Sequence, residues 1–458
     1  MKTIAGSVSK KTLVWMIIIA VFGALLIWIS FQPTLTPLKS QVTAPTTPAV
    51  QMVGDESRAN AFTSFEQSDP NIDMNEAGVS VVVWQSRQGE SSYPGVGGNI
   101  FAVRYDQTGR EIVPPEELRD KGGVKGNEFR VNTPGNNLPG SPSVTMNAAG
   151  SFVVAWYSRN NGKVFARRFD PSGAMVGEEL EINSQSKAKF QDDARIAVGM
   201  DDEEDFVVAW FGTGPNDEEG IYARWYDSSG APRGDEALIN TTLVGEQSSP
   251  SVAMNASGST VFTWFGNGVG DEQGVFARQF DQNSVALGEE RLVNENPERP
   301  QKRPSIDMIN TGEFVIVWQT LFDDDRKWDI SFRTFSPVGT PGPEIRANSK
   351  REKDQEHPAV ALSEEGEILI AWDTNDVLLP SRRDVFARLF DPEGNPLTQG
   401  ISRVNSTADN AQWYPGVAMN SQRDIVILWS GYREDDVSGY DHEAVVFQRF
   451  KKYDGNVE

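Results

Sequence analysis

A short run of β-branched or apolar residues ending in tryptophan occurs seven times, and it restricts the fold more than any other feature of the chain. The tryptophans are Trp84, Trp156, Trp210, Trp264, Trp318, Trp372 and Trp429, at spacings of 72, 54, 54, 54, 54 and 57 residues. The runs read VSVVVW, SFVVAW, DFVVAW, STVFTW, EFVIVW, EILIAW and DIVILW. Strands that are apolar almost throughout belong to sheets covered on both faces, whereas half-exposed strands alternate. Three other segments recur around each tryptophan. Before it comes a strand that opens with proline, as in Pro142–Met146, joined by a turn such as Asn147–Gly150. After it come a variable loop, a strand of the type Val164–Asp170, a turn with glycine, and a short strand ending at Asn183, Asn240, Asn294 or Asn405. These segments are strands a, b (with the Trp), c and d of one unit.

Four antiparallel strands in each of seven units predict an all-β fold, a seven-bladed β-propeller. A single blade cannot bury its two apolar faces, so the units must pack in a closed ring. The seventh unit stops after strand c (Ala444–Phe450), and the first begins with an extra segment. Arg58-Ala59-Asn60 precedes Pro70 by the interval that separates Arg346-Ala347-Asn348 from Pro358. Asp55–Asn60 is therefore expected to act as the missing strand d of the last blade and to close the ring. The surplus length between the first two tryptophans falls in Gln85–Asn99 and in Pro114–Gly126.

The N-terminal region differs. Leu13–Ile29 is an uncharged apolar run with Trp15 and Trp28 near its ends. Lys2, Lys10 and Lys11 precede it and no acidic residue does. That pattern predicts a short cytoplasmic segment (1–12) and a transmembrane signal-anchor helix (13–30). A Pro/Thr-rich disordered tether (31–54) and the extracytoplasmic propeller (55–458) would follow. Localisation is thus expected at the cell membrane, single-pass, with the helix as the membrane contact.

All 65 Asp and Glu residues lie from Asp55 onward, and the net charge is −23. Such a surface repels nucleic acid. The chain has no cysteine, which removes disulfides, thiolate metal sites and cysteine nucleophiles. It has two histidines, His357 and His442, each expected to be an ordinary loop or surface residue.

The b–c loops vary in length and content, as binding loops on a constant scaffold do. They supply the candidate ligand-binding residues Tyr93, Asp217, Asp271, Phe322, Asp324, Trp328, Tyr432 and Asp435. Their carboxylates could bind calcium, although none follows the alternating Asp-x-Asp-x-Asp-Gly pattern. No other cofactor, metal site or catalytic set is expected. A Gln near the start of strand a (Gln67, Gln191, Gln247, Gln301, Gln355, Gln412), three residues before the proline except at Gln191, where Ala194 stands instead, repeats with the blades, as does the strand-c Arg (Arg167, Arg224, Arg278, Arg333, Arg388). Both sets read as scaffold.

Around Trp210, Arg224, Tyr226-Asp227, Asn240, Gln247 and Pro250 the repeat resembles a bacterial exported repeat of the form VVxW…AxRFDxxG…VN…QxxPxVA. The resemblance covers about residues 55–450. It implies a cell-surface or secreted propeller and carries no assigned activity or catalytic residues. Of the seven repeat tryptophans only Trp372 is followed by Asp, as in the WD repeat, and this Trp372-Asp373 pair is taken as coincidence. Three functions remain open: a non-enzymatic binding or scaffold module for a protein or glycan, a carbohydrate-active hydrolase or lyase using loop carboxylates, or a structural subunit of an envelope complex docking through 114–126. An enzyme would show a deep polar pocket with one asymmetric cluster of carboxylates and a Tyr or Arg.

Overall fold

The structure, a computed structural model, describes residues 50–61, 66–86, 98–119, 126–135, 138–189, 195–322, 327–349, 353–375, 383–397, 402–406, 411–432 and 443–452. The expected cytoplasmic segment, the membrane helix 13–30 and the tether up to residue 49 lie outside them. Among the described residues no helix is long and apolar enough to cross a membrane.

The described chain forms seven antiparallel sheets, one for each tryptophan, numbered here as blades 1 to 7. In blade 1 the strand order is a (Gln67–Met74), b (Ser80–Ser86), c (Asn99–Tyr105) and d (Phe129–Arg130). Blade 3 departs from this plan. Its strand b pairs with both Lys187–Ala188 and Ile196–Met200. The tryptophans are at most 1% exposed. Seven clusters of buried apolar side chains each join two adjacent blades, and the seventh joins blade 7 to blade 1 through Trp84, Phe101, Leu428 and Phe447. Truncating one such Trp to Ala removes packing worth about 3–5 kcal/mol.

The closure expected from the sequence is present. Val50–Arg58 pairs antiparallel with Glu443–Lys452, strand c of blade 7. The strand starts at Val50, so Val50–Gly54 belong to the sheet and not to the tether that was expected to run through residue 54. A hydrogen bond repeated in every blade marks the equivalence. Asn132, Asn183, Asn240, Asn294, Asn348 and Asn405 each accept a strand-c backbone N–H at 2.7 to 2.9 Å. Asn60 does the same for Val445 at 2.9 Å, across 385 positions of sequence.

The repeated Arg and Gln also act as scaffold. Arg224, Arg278, Arg333 and Arg388 donate to the carbonyls of Ile182, Ile239, Val293 and Ala347 in the preceding blade. Gln67, Gln355 and Gln412 accept the indole N–H of Trp84, Trp372 and Trp429. Within the long insertion, Leu118 is only 2% exposed and packs into the cluster between blades 1 and 2. Pro114–Arg119 thus serves its own blade, and residues 120–125 lie outside the described set.

Removing residues 50–60 should lower the thermal midpoint of the protein, because blade 7 loses its fourth strand and the ring its closure. The single change Asn60→Ala should cost about 1–3 kcal/mol in chemical denaturation, the penalty for stranding the buried Val445 N–H. A variant as stable as the parent would argue against closure by this segment.

Candidate active site

The seven strands a surround a central cavity of about 400 Å³. Asp73 and Asp307 line it, where the other blades carry Thr145, Gly199, Ala253, Ala361 and Ala418. Each carboxylate accepts one N–H from its own strand and one from the next blade. Asp73 takes Met74 and Met146, and Asp307 takes Met308 and Leu362. Enclosure by protein pushes Asp73 up to about 6 and Asp307 up to about 7, against the pull of these N–H groups. Their partners make them ties between blades.

Each strand a except that of blade 3 has a bulge opposite its tryptophan, an extra residue inserted just before the proline. The bulged residues are Asp69, Ser141, Ser249, Arg303, His357 and Tyr414, all at φ between 44° and 54°. This strained backbone occurs in six blades, so it belongs to the scaffold. The side chains it presents are not equivalent. Ser141 and Ser249 are small, whereas blades 5, 6 and 7 present Arg303, His357 and Tyr414 in succession. Arg303 and Tyr414 line the cavity.

Blade 6 holds the centre of this group on strands a (Asp354–Leu362), b (Ile368–Asn375) and c (Arg383–Phe390). His357 Nδ1 lies 2.6 Å from Asp373 Oδ2, and that oxygen also accepts the backbone N–H of Tyr414 at 3.0 Å. Asp373 Oδ1 accepts Arg383 Nη1 at 3.2 Å, and Arg383 Nη2 meets Glu356 Oε2 at 3.1 Å. The His357 and Tyr414 rings stand 4.3 Å apart, and the Arg303 guanidinium lies 5.7 Å from the Tyr414 ring centre. Among the described residues neither His357 Nε2 nor the Tyr414 hydroxyl has a hydrogen-bond partner. Burial pushes the Asp373 carboxyl upward, while Arg383, the Tyr414 N–H and Arg303 pull it down. Burial also raises Glu356 against the pull of Arg383.

Asp373 shows how a scaffold position becomes a site. The residue after the Trp is Gln85, Tyr157, Phe211, Phe265, Gln319, Asp373 or Ser430. In blade 5, Gln319 accepts the N–H of the next blade's bulged residue, His357, at 3.0 Å. Asp373 does this for Tyr414 and, being charged, also holds its own blade's histidine. Nδ1–H facing a carboxylate leaves Nε2 as the imidazole's free basic nitrogen. Glu356, His357 and Asp373 also bring ligand atoms within 4.8 Å of one another. Arg383 already bridges the two carboxylates, so these atoms fit an ion-pair and proton-transfer network better than a metal cage.

His357 is therefore not the ordinary loop or surface residue expected from the sequence. It is 6% exposed and bonded to a buried acid. Its sequence signal was the Trp372-Asp373 pair, the single acid at that repeated position.

The expected b–c loop candidates fare differently. Asp217 and Asp271 are 7% exposed and bind the Nδ2 of Asn240 and Asn294, a role that Asp329 and Asp384 share in blades 5 and 6. They support the scaffold asparagines. Phe322 is buried between the guanidinium groups of Arg299 and Arg346, at 4.3 and 4.5 Å, and is not a surface aromatic. Trp328 is half-buried with Lys302 Nζ 5.9 Å from its ring and remains at the rim. Tyr93, Asp324, Asp435 and His442 lie outside the described residues, as does the Tyr432 side chain.

No family model matches the chain, and no curated protein does. Among solved structures it is similar to a protein of unknown function from Dyadobacter fermentans, at 11% identity and a TM-score of 0.48 over 88% of this chain and 100% of that one. It is also similar to an ulvan lyase of a new polysaccharide lyase family, bound to -[GlcA(1-4)Rha3S]-, at 10% identity and a TM-score of 0.49 over 86% and 95%. A third is an α-L-arabinanase of Penicillium chrysogenum, at 9% identity and a TM-score of 0.40 over 61% and 100%. These likenesses concern chain architecture alone.

The raised cavity carboxyls set a pH dependence. Unfolded, Asp307 titrates near its ordinary value of about 3.9. Folded, it titrates at about 7. Folding thus favours its protonated form. The associated stability is whole below about pH 4 and is lost as pH rises through about 7. Urea unfolding at a series of pH values should show stability falling across that window, and Asp307→Asn should flatten the fall. An unchanged slope in the variant would show that Asp307 does not titrate there.

Proposed function

We propose that the protein is a carbohydrate-active enzyme, a lyase that cleaves uronate-containing glycans, held outside the cell membrane by its N-terminal segment 13–30. The observation that carries this reading is the Asp373–His357–Tyr414 group beside Arg303 at the central cavity. Cleavage by elimination needs a base for the proton on the carbon next to the uronate carboxylate, an acid for the leaving oxygen, and a cation on the carboxylate. In this reading His357 Nε2 takes the C5 proton. The C5–H electrons form the C4=C5 double bond as the C4–O bond breaks, and the Tyr414 hydroxyl gives its proton to the leaving oxygen. Arg303 steadies the negative charge that builds on the carboxylate during proton removal. Asp373 holds the imidazole, and Arg383 holds Asp373.

The carboxylates favour elimination over glycoside hydrolysis. Hydrolysis of the usual kind needs two working carboxyl groups across the sugar. Glu356 and Asp373 are both engaged by Arg383, and Asp73 and Asp307 by backbone N–H groups. A non-catalytic module binding a glycan or a protein is the second reading, favoured by Trp328 and Lys302 at the rim.

The test is incubation of the full chain with uronate polysaccharides, following the ultraviolet absorbance of the C4=C5 double bond. His357→Gln and Tyr414→Phe should each lower the rate by about 10²-fold or more. No unsaturated product from any uronate polymer, or full activity in the His357→Gln variant, would refute the lyase reading.

A further inference from the structure

The cavity is lined by two arginines on different blades, in a chain whose balance is strongly acidic. One is Arg303, already placed beside Tyr414. The other is Arg195 in blade 3, which stands at the place that Asp69, Ser141, Ser249, Arg303, His357 and Tyr414 hold in the other six blades. Blade 3 is also the blade whose strand a (Ile196–Met200) pairs with strand b without a bulge opposite its tryptophan. Ile196 takes the proline's place opposite Trp210, and Arg195 just before it adds a guanidinium to the cavity wall.

The blades on either side make room for it. Blades 2 and 4 place Ser141 and Ser249 at their bulges, while Arg303, His357, Tyr414 and Asp69 stand on blades 5, 6, 7 and 1. The small side chains thus flank Arg195, and the bulky reactive ones occupy the opposite arc of the ring. A cavity of about 400 Å³ is within the range that holds a small ligand. A guanidinium suits carboxylate and sulfate groups, which it can contact through two N–H donors at once.

We infer that Arg195 is a specificity-determining contact for a second anionic group, a carboxylate or sulfate ester, on the sugar next to the one held at Arg303. The substrate is then a polyanionic glycan, recognised at two charges across the cavity. This inference rests on the lyase reading for the position of the first sugar, and the experiment separates the two.

The full chain carrying His357→Gln, which should bind without turnover, is titrated calorimetrically with heparin fragments and with hyaluronan fragments of equal length. Heparin adds sulfate esters to its uronates, whereas hyaluronan is charged only through its uronates. Adding Arg195→Gln should weaken heparin binding about tenfold, the loss expected for one charge-assisted contact. It should leave hyaluronan binding within about twofold, and Arg195→Lys should recover part of the heparin affinity. Equal weakening for both polymers, or none for either, would overturn the role of Arg195. Formation of unsaturated product by the parent chain is followed in parallel. The expected binding pattern without product overturns the lyase reading and keeps the Arg195 contact. Product without Arg195 dependence does the reverse, and no binding of either polymer overturns both.

Discussion

Each blade has two apolar faces and can cover neither by itself. Trp84, Trp156, Trp210, Trp264, Trp318, Trp372 and Trp429 become buried only when the next blade arrives. The seven inter-blade clusters are therefore one continuous requirement, and an open array would leave one face of its first and last blades in water. The N-terminal strand and Asn60 meet that requirement at the only junction the chain does not cross in order.

Closure also creates the place where chemistry can happen. Packing seven strands a around one axis leaves a cavity whose wall is sampled at equivalent points by every blade. Where those points are alike, they are scaffold. The Asn that accepts the strand-c N–H is the same in all seven blades. Where they differ, a structural device has been given charge. Gln319 and Asp373 hold the same kind of backbone N–H, but Asp373 also orients an imidazole. The bulge opposite each Trp supplies the geometry, and blades 5 to 7 supply Arg303, His357 and Tyr414 to it.

This explains which readings of the sequence succeeded. Blade number, strand order and closure were legible because they follow from repetition, which needs no knowledge of contacts. The candidate ligand residues rest instead on acidity and aromatic character in variable loops. Asp217 and Asp271 are acidic because an asparagine amide needs an acceptor, and Phe322 is aromatic because two guanidinium groups cover it. Loop composition alone cannot separate such buried partners from open ones. The more informative signal was departure from the repeat at positions that are otherwise scaffold: Asp373 after its Trp, His357 and Tyr414 before their prolines, and Arg195 at the same place in blade 3, where Ile196 replaces the proline.

The sequence by itself determined the ring, because apolar periodicity and a repeat near 54 residues admit few ways of covering both faces of every blade. It also determined which segment closes the ring, since Asp55–Asn60 copies a strand d that blade 7 lacks. Only the tertiary structure decided that His357, Asp373, Arg383 and Tyr414 meet. They come from separate strands of two blades, and a bulge turns two of them out of the alternation that strand periodicity predicts. A contact made by ring closure and a local break in pleat leaves no periodic trace along the chain.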